Sequence, residues 1–133
     1  MTFAPTVVLV SSGQDSPTTI GESLRSLEAR VLEAQSCFEV RRLLGEHAEI
    51  DLVITDVSLE DGNWFNVLHL LAERADETSL LVLSRRDDER FRQMVCSRGA
   101  DGLLWGGDQA THTRTLIEEA CRDAKGSPAV RSS

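Results

Sequence analysis

Short apolar runs alternate along this chain with longer segments whose apolar residues recur at helical spacing. The first run, Thr6-Val7-Val8-Leu9-Val10, has no polar face and reads as a strand buried on both sides. After a polar loop, Ser16 followed by Pro17 is a helix start, and Ile20, Leu24 and Leu27 then share one helical face. Val31-Leu32 marks a second short strand. Ser36 with Glu39 three residues on is a capping-box signature; Phe38, Leu43 and Leu44 are the expected apolar side of the helix, and Gly45 its expected end. Leu52-Val53-Ile54-Thr55 is a third strand closed by Asp56. A loop at Leu59-Glu60-Asp61-Gly62 leads to a helix from about Asn63 to Ala75 that should bury Phe65, Leu68 and Leu71.

The pattern then repeats. Leu80-Leu81-Val82-Leu83 ends at Ser84. Arg85-Arg86-Asp87-Asp88 precedes a helix with Phe91, Met94 and Val95 inward and Gly99 as its stop. Gly102-Leu103-Leu104-Trp105 is a fifth strand, Gly106-Gly107 a turn, and Leu116, Ile117, Ala120 and Cys121 stripe a last helix from about Gln109 to Lys125. Five strand–helix units in series predict an α/β fold: a doubly wound, parallel five-stranded sheet with helices on both faces. We expect one domain over residues 1–125. Residues 126–133, small and polar, read as a flexible tail or the start of a linker.

Composition narrows the function. Of 133 residues, 41% are hydrophobic and 27% charged, with four Phe, two Trp and no Tyr, so the core must be aliphatic. A net charge of −8 argues against nucleic-acid binding by this domain. No stretch is apolar enough to span a bilayer, and Met1–Val10 lacks the features of a signal peptide, so a cytoplasmic location is expected. Cys37, Cys96 and Cys121 form no metal-binding spacing and are expected as free, mostly buried thiols.

In open parallel sheets, chemistry gathers beyond the carboxyl ends of the strands. That rule selects Ser11, Ser12, Asp56, Ser84 and Gly106 as one neighbourhood. No histidine is placed to activate a serine there, and no phosphate-binding loop is present.

The run Asp51-Leu52-Val53-Ile54-Thr55-Asp56 followed by Leu59-Glu60-Asp61-Gly62 resembles the phosphoacceptor segment of response-regulator receiver domains. Gly99-Ala100-Asp101-Gly102-Leu103-Leu104 is similar to that family's approach to its final strand. The resemblance covers about residues 6 to 125. It implies a CheY-like, flavodoxin-like fold with strand order 2-1-3-4-5, and makes Asp56 the candidate phosphoacceptor in two-component signal transduction. It also implies a magnesium ion held by two acidic residues after the first strand, a lysine and a proline after the fifth, and an aromatic switch residue. At the corresponding positions this chain has Ser11 and Ser12, Gly106 and Gly107, and Leu103. Ser84 keeps the family's hydroxyl.

Neutral serines cannot replace two carboxylates for a hard cation, so Mg2+ binding is expected to be weak or absent and no other cofactor is implied. Asp15 and Asp61 are the loop carboxylates that could supply a ligand through water. Arg85 could close the pocket or replace lost positive charge as a phosphoryl contact. Leu103 and Trp105 should project to one side of the last strand, where receivers pair or dock partners, and they are candidate interface residues. The leading expectation is an atypical receiver, not an enzyme. It would act mainly as a protein-interaction module with a histidine kinase or output protein as partner, or as a homodimer through the helix 4–strand 5–helix 5 face, with no membrane contact. A working phosphoacceptor, phosphorylated on Asp56 by a histidine kinase, is one alternative. A small-ligand-binding flavodoxin-like domain is another.

Overall fold

The chain's computed structural model describes residues 4–11, 18–47, 49–73, 78–86, 88–105, 107 and 110–124. Ser12, Asp15, Ser16, Pro17, Asp87, Gly106 and the tail from 125 lie outside the described residues.

Five strands, β1 (Thr6–Val10), β2 (Arg30–Ala34), β3 (Leu52–Asp56), β6 (Ser79–Ser84) and β7 (Gly102–Trp105), form one parallel sheet in the order β2-β1-β3-β6-β7. This is the doubly wound order expected from the sequence. The other two strands, β4 (Ser58–Leu59) and β5 (Gly62–Asn63), pair antiparallel as a miniature hairpin within the segment expected as a loop. The helices are α1 (Thr18–Ser26), α2 (Cys37–Glu46), α3 (Trp64–Ala72), α4 (Glu89–Ser97) and α5 (Ala110–Ala124).

Each central strand feeds two cores, because successive side chains point to opposite faces. Val8, Val10, Val53, Val82 and Leu103 pack with α2, α3 and α4. Val7, Leu52, Ile54, Leu81 and Leu104 pack with α1 and α5. Both faces are covered, so these strands carry no polar alternation.

Local signals set the helix ends. Ser36 accepts a hydrogen bond from Glu39 N (3.1 Å) at the start of α2, while the Glu39 carboxylate reaches back to Gln35 N (2.6 Å). Asn63 and Asn66 make a reciprocal capping box at α3, and Asp88 accepts from Phe91 N at α4. Gly99 follows α4 with φ +120°, a conformation that β-carbon sterics disfavour in other residues.

Four packing expectations are corrected. Phe38 is 70% exposed, whereas Val40 and Leu43 are buried. Phe38 precedes Val40 by two residues, a rotation of roughly 200° about the helix, so it must face away from the core. Gly45 does not end α2, which continues to Glu46. In α3 the buried stripe is Trp64, Val67 and Leu71, leaving Phe65 and Leu68 half-buried. Of the three thiols only Cys121 is buried; Cys37 is intermediate, packed at the edge of the core, and Cys96 is exposed.

Candidate functional site

Asp56 is the last residue of β3, 8% exposed, and it follows four residues that are fully buried. The sheet's centre therefore fixes its backbone, while its carboxyl stands at the strand ends. Register places Asp56 opposite Leu83 of β6, so Ser84 lies one residue further on at the same end. A cleft of about 660 Å3 opens there between the segment after β3 and the segment after β6. Asp56, Ser84 and Arg85 all line it, as expected from the sequence, and Ser58, Arg86, Asp88 and Phe91 join them.

The Ser84 hydroxyl is engaged locally. It donates to the Arg86 carbonyl (2.8 Å) and accepts from the Arg86 amide (3.1 Å). It thus closes the turn that aims Arg85 and Arg86 outward, a common use of serine. To donate to a group bound at Asp56 its proton would have to turn away from the Arg86 carbonyl and give up that bond. Arg85 and Arg86 are exposed, and among the described residues neither guanidinium has an ion-pair partner.

Ser11 directly follows β1 and is half-buried, and its amide donates to the Ala34 carbonyl at the end of β2 (3.0 Å). Ser12 and Gly106 lie outside the described residues. The Asp61 carboxylate is engaged by another element. It accepts from the amides of Cys37 (2.8 Å) and Phe38 (3.1 Å), the first residues of α2. Those amides point along the helix axis at the positive end of its dipole. They hold the Asp61 carboxyl below its usual pKa, the Cys37 amide being the main cause. Cys37 is shifted the other way, its thiol pushed up first by burial and then by the Asp61 charge beside it. Among the described residues no group of three or more His, Cys, Asp or Glu side chains is placed to hold a metal ion.

Leu103 and Trp105 stand apart from the cleft. Leu103 is 1% exposed within the core beneath α4, so it cannot serve as a surface anchor, and its expected interface role is corrected. Its carbonyl accepts from Arg92 of α4 (3.1 Å), a bond that ties that helix to the edge strand. Trp105 is half-buried, and its indole lies against Gly107.

Sequence reasoning missed Phe91 and Asp88 as cleft residues, although Asp88 three residues before Phe91 is an N-cap spacing that brings both to the start of α4. It also missed the Asp61 bonds, which join residues 23 and 24 positions apart and leave no local trace.

Comparison with known proteins adds the family. The fold resembles a response regulator receiver domain from Clostridium thermocellum, with 20% identity, 91% of this chain and 97% of that one covered, and a TM-score of 0.76. It also resembles the non-phosphorylated HemR receiver domain from Leptospira biflexa (23%, 88% and 94%, 0.71). A third likeness is to the beryllofluoride-activated NtrC4 receiver domain dimer (15%, 90% and 98%, 0.76). No curated protein matches the chain. The family model of the response regulator receiver domain matches residues 7–105, nearly all of the sheet with four of its helices. Sheet order, the position of Asp56 and that match agree: the chain belongs to the response regulator receiver domain family.

Proposed function

We propose that this receiver is a protein-interaction module of a two-component system in which magnesium-dependent phosphorylation of Asp56 is impaired. The donor set around Asp56 carries the reading. The residues after β1 are Ser11 and Ser12 where the family has two acids, and the Asp61 carboxylate is bonded to the amides of α2. A hard divalent cation needs several charged or carbonyl oxygens, and Asp56 with neutral hydroxyls does not fit it, the other cleft carboxylate, Asp88, being bonded to the Phe91 amide. Without the cation, a carboxylate and an incoming phosphoryl group repel each other across the cleft. The bonded state of the Ser84 hydroxyl and the absence of a lysine at Gly106 weigh the same way.

In this reading the protein works in the cytoplasm as a non-enzymatic partner of a kinase or output protein, with no nucleic acid or membrane contact of its own. No described helix is long and apolar enough to cross a membrane. Partner or self-association runs through the face of α4, β7 and α5, where Trp105 is half-buried on the sheet's edge strand. The NtrC4 receiver, similar in fold, is described as a dimer.

Incubation with acetyl phosphate and magnesium, read by intact mass, tests the reading. The mass should stay unchanged. A stoichiometric phosphoryl adduct, absent in Asp56→Asn, would overturn it and favour a second reading, a working phosphoacceptor. The observation behind that second reading is that Arg85 and Arg86 line the same cleft as Asp56 and supply positive charge.

A further inference from the structure

The cleft beside Asp56 is much larger than a phosphoryl group needs. Its volume of about 660 Å3 falls in the range of sites for small organic molecules. Its lining is divided. Asp56 and Ser84 form one side, close to the strand ends. Phe91 forms an apolar wall, held edge-on by Trp64 (ring centroids 6.5 Å apart, interplanar angle 89°). Arg85 and Arg86 are exposed on the cleft and lack ion-pair partners among the described residues. Two carboxylates also face the cleft. Asp88 is bonded to the Phe91 amide, and Asp56 lies nearest the strand ends.

These features sort a ligand's parts. Two guanidinium forks carried on consecutive residues of one cleft suit a doubly charged phosphate, which each can bind bidentately. An aromatic wall favours a planar body. A carboxylate favours hydroxyl or amino donors and repels a second anionic end. We propose that the cleft is a non-covalent, metal-free site for a small phosphate monoester of nucleotide size. Its phosphate sits on Arg85 and Arg86, its ring against Phe91, and its donor groups toward Asp56. No bond to the protein forms. The two arginines supply the positive charge that a cation and a lysine give elsewhere in the family.

Adenosine 5′-monophosphate is the probe, titrated into the whole chain in phosphate-free buffer by calorimetry, with adenosine and inorganic phosphate as further arms. The nucleotide should bind saturably at one site, adenosine should bind at least tenfold more weakly, and inorganic phosphate should compete. Arg85→Ala and Arg86→Ala should each weaken the nucleotide by about tenfold, the scale of a charge-assisted hydrogen bond. Both side chains are exposed, so their removal leaves the fold intact. Phe91→Leu should weaken the nucleotide but not inorganic phosphate. Absence of saturable nucleotide binding would overturn the proposal. So would binding unchanged in the double arginine variant, or adenosine binding as tightly as the nucleotide. Phosphate monoesters of alcohols do not transfer phosphoryl groups to carboxylates at useful rates, so these outcomes are independent of the acetyl phosphate experiment.

Discussion

Replacing Gly107 with alanine tests whether the last loop is shaped around the Trp105 indole. A β-carbon built on Gly107 would lie 2.8 Å from Cζ2 of Trp105, 3.0 Å from Cε2 and 3.2 Å from Cη2. Carbon atoms prefer 3.5–4.0 Å, so the ring or the loop must retreat by roughly 0.7 Å or more. The backbone at Gly107 is not in the left-handed region, so close approach to the indole rather than backbone strain opposes the substitution. Overpacking costs about 1–3 kcal/mol in a closed core. Trp105 is half-buried at the edge of the sheet and can yield toward solvent, so we expect the lower end, about 1 kcal/mol. For a chain of this length that is a fall of about 3–5 °C in the melting temperature. Urea unfolding gives the energy, and tryptophan emission locates it. Trp64 is 6% exposed and should not respond, so a red shift on Gly107→Ala reports Trp105 moving into water. The decisive comparison is the same substitution in a Trp105→Ala background. There it should be neutral, or stabilising by about 0.5 kcal/mol through the stiffer unfolded chain. An equal cost in both backgrounds would refute the argument.

Three more expectations follow from the same geometry. Asp61 has a lowered pKa, so its bonds to α2 stabilise the fold above its ordinary pKa of 3.8 and are lost as pH falls through the lower, folded value. The difference in urea midpoint between the wild type and Asp61→Asn should therefore be constant from pH 7 to 5 and shrink only below about pH 4; a difference that vanishes near neutrality would contradict the assignment. Leu103→Ala should cost about 2–5 kcal/mol, as for a core leucine, while Phe38→Ser should stay within about 0.5 kcal/mol. Thermal unfolding of the pair distinguishes a buried Leu103 from a surface anchor. A thiol reagent at pH 8 should label Cys96 first and Cys37 more slowly. Cys121, whose pKa is pushed up to about 12 chiefly by burial, should react only after unfolding.

What the sequence makes legible is the part of the fold that depends on short-range pattern. Runs such as Leu52–Thr55, apolar on every position, require both sheet faces to be covered, and five of them separated by helical stripes leave few topologies. The position of Asp56 follows from the same pattern, because the strand must stop where the apolar run stops. Failures occur where two patterns compete or where a contact is long-range. Trp64, Val67 and Leu71 form as good a helical stripe as Phe65, Leu68 and Leu71, and only the packing of Trp64 against Phe65 and Phe91 decides between them. The β4–β5 hairpin is two residues long on each side, too short to leave a periodicity. Its consequence is larger than its length, because it carries Asp61 to the start of α2.

That last contact changes how the site is understood. Asp56 and Ser84 close their strands and Asp61 lies in the segment that follows β3, and proximity in topology alone would recruit all three to one centre. The hydrogen bonds divide them. The Asp61 carboxylate binds the amides of α2, and the Ser84 hydroxyl closes its own turn. What remains around Asp56 is a cleft lined by Arg85 and Arg86, on a backbone turn that the Ser84 hydroxyl closes. A guanidinium recognises an anion's shape without a metal ion, whereas the family's magnesium site bridges two anions that would otherwise repel. On the function proposed above, this arrangement of charge suits reversible recognition of an anion better than attack by Asp56 on one. It also makes the Ser84 turn the element that shapes the backbone carrying both arginines. Loss of the hydroxyl in Ser84→Ala should then weaken nucleotide binding in the same calorimetric titration, and an unchanged affinity would refute the role given to the turn.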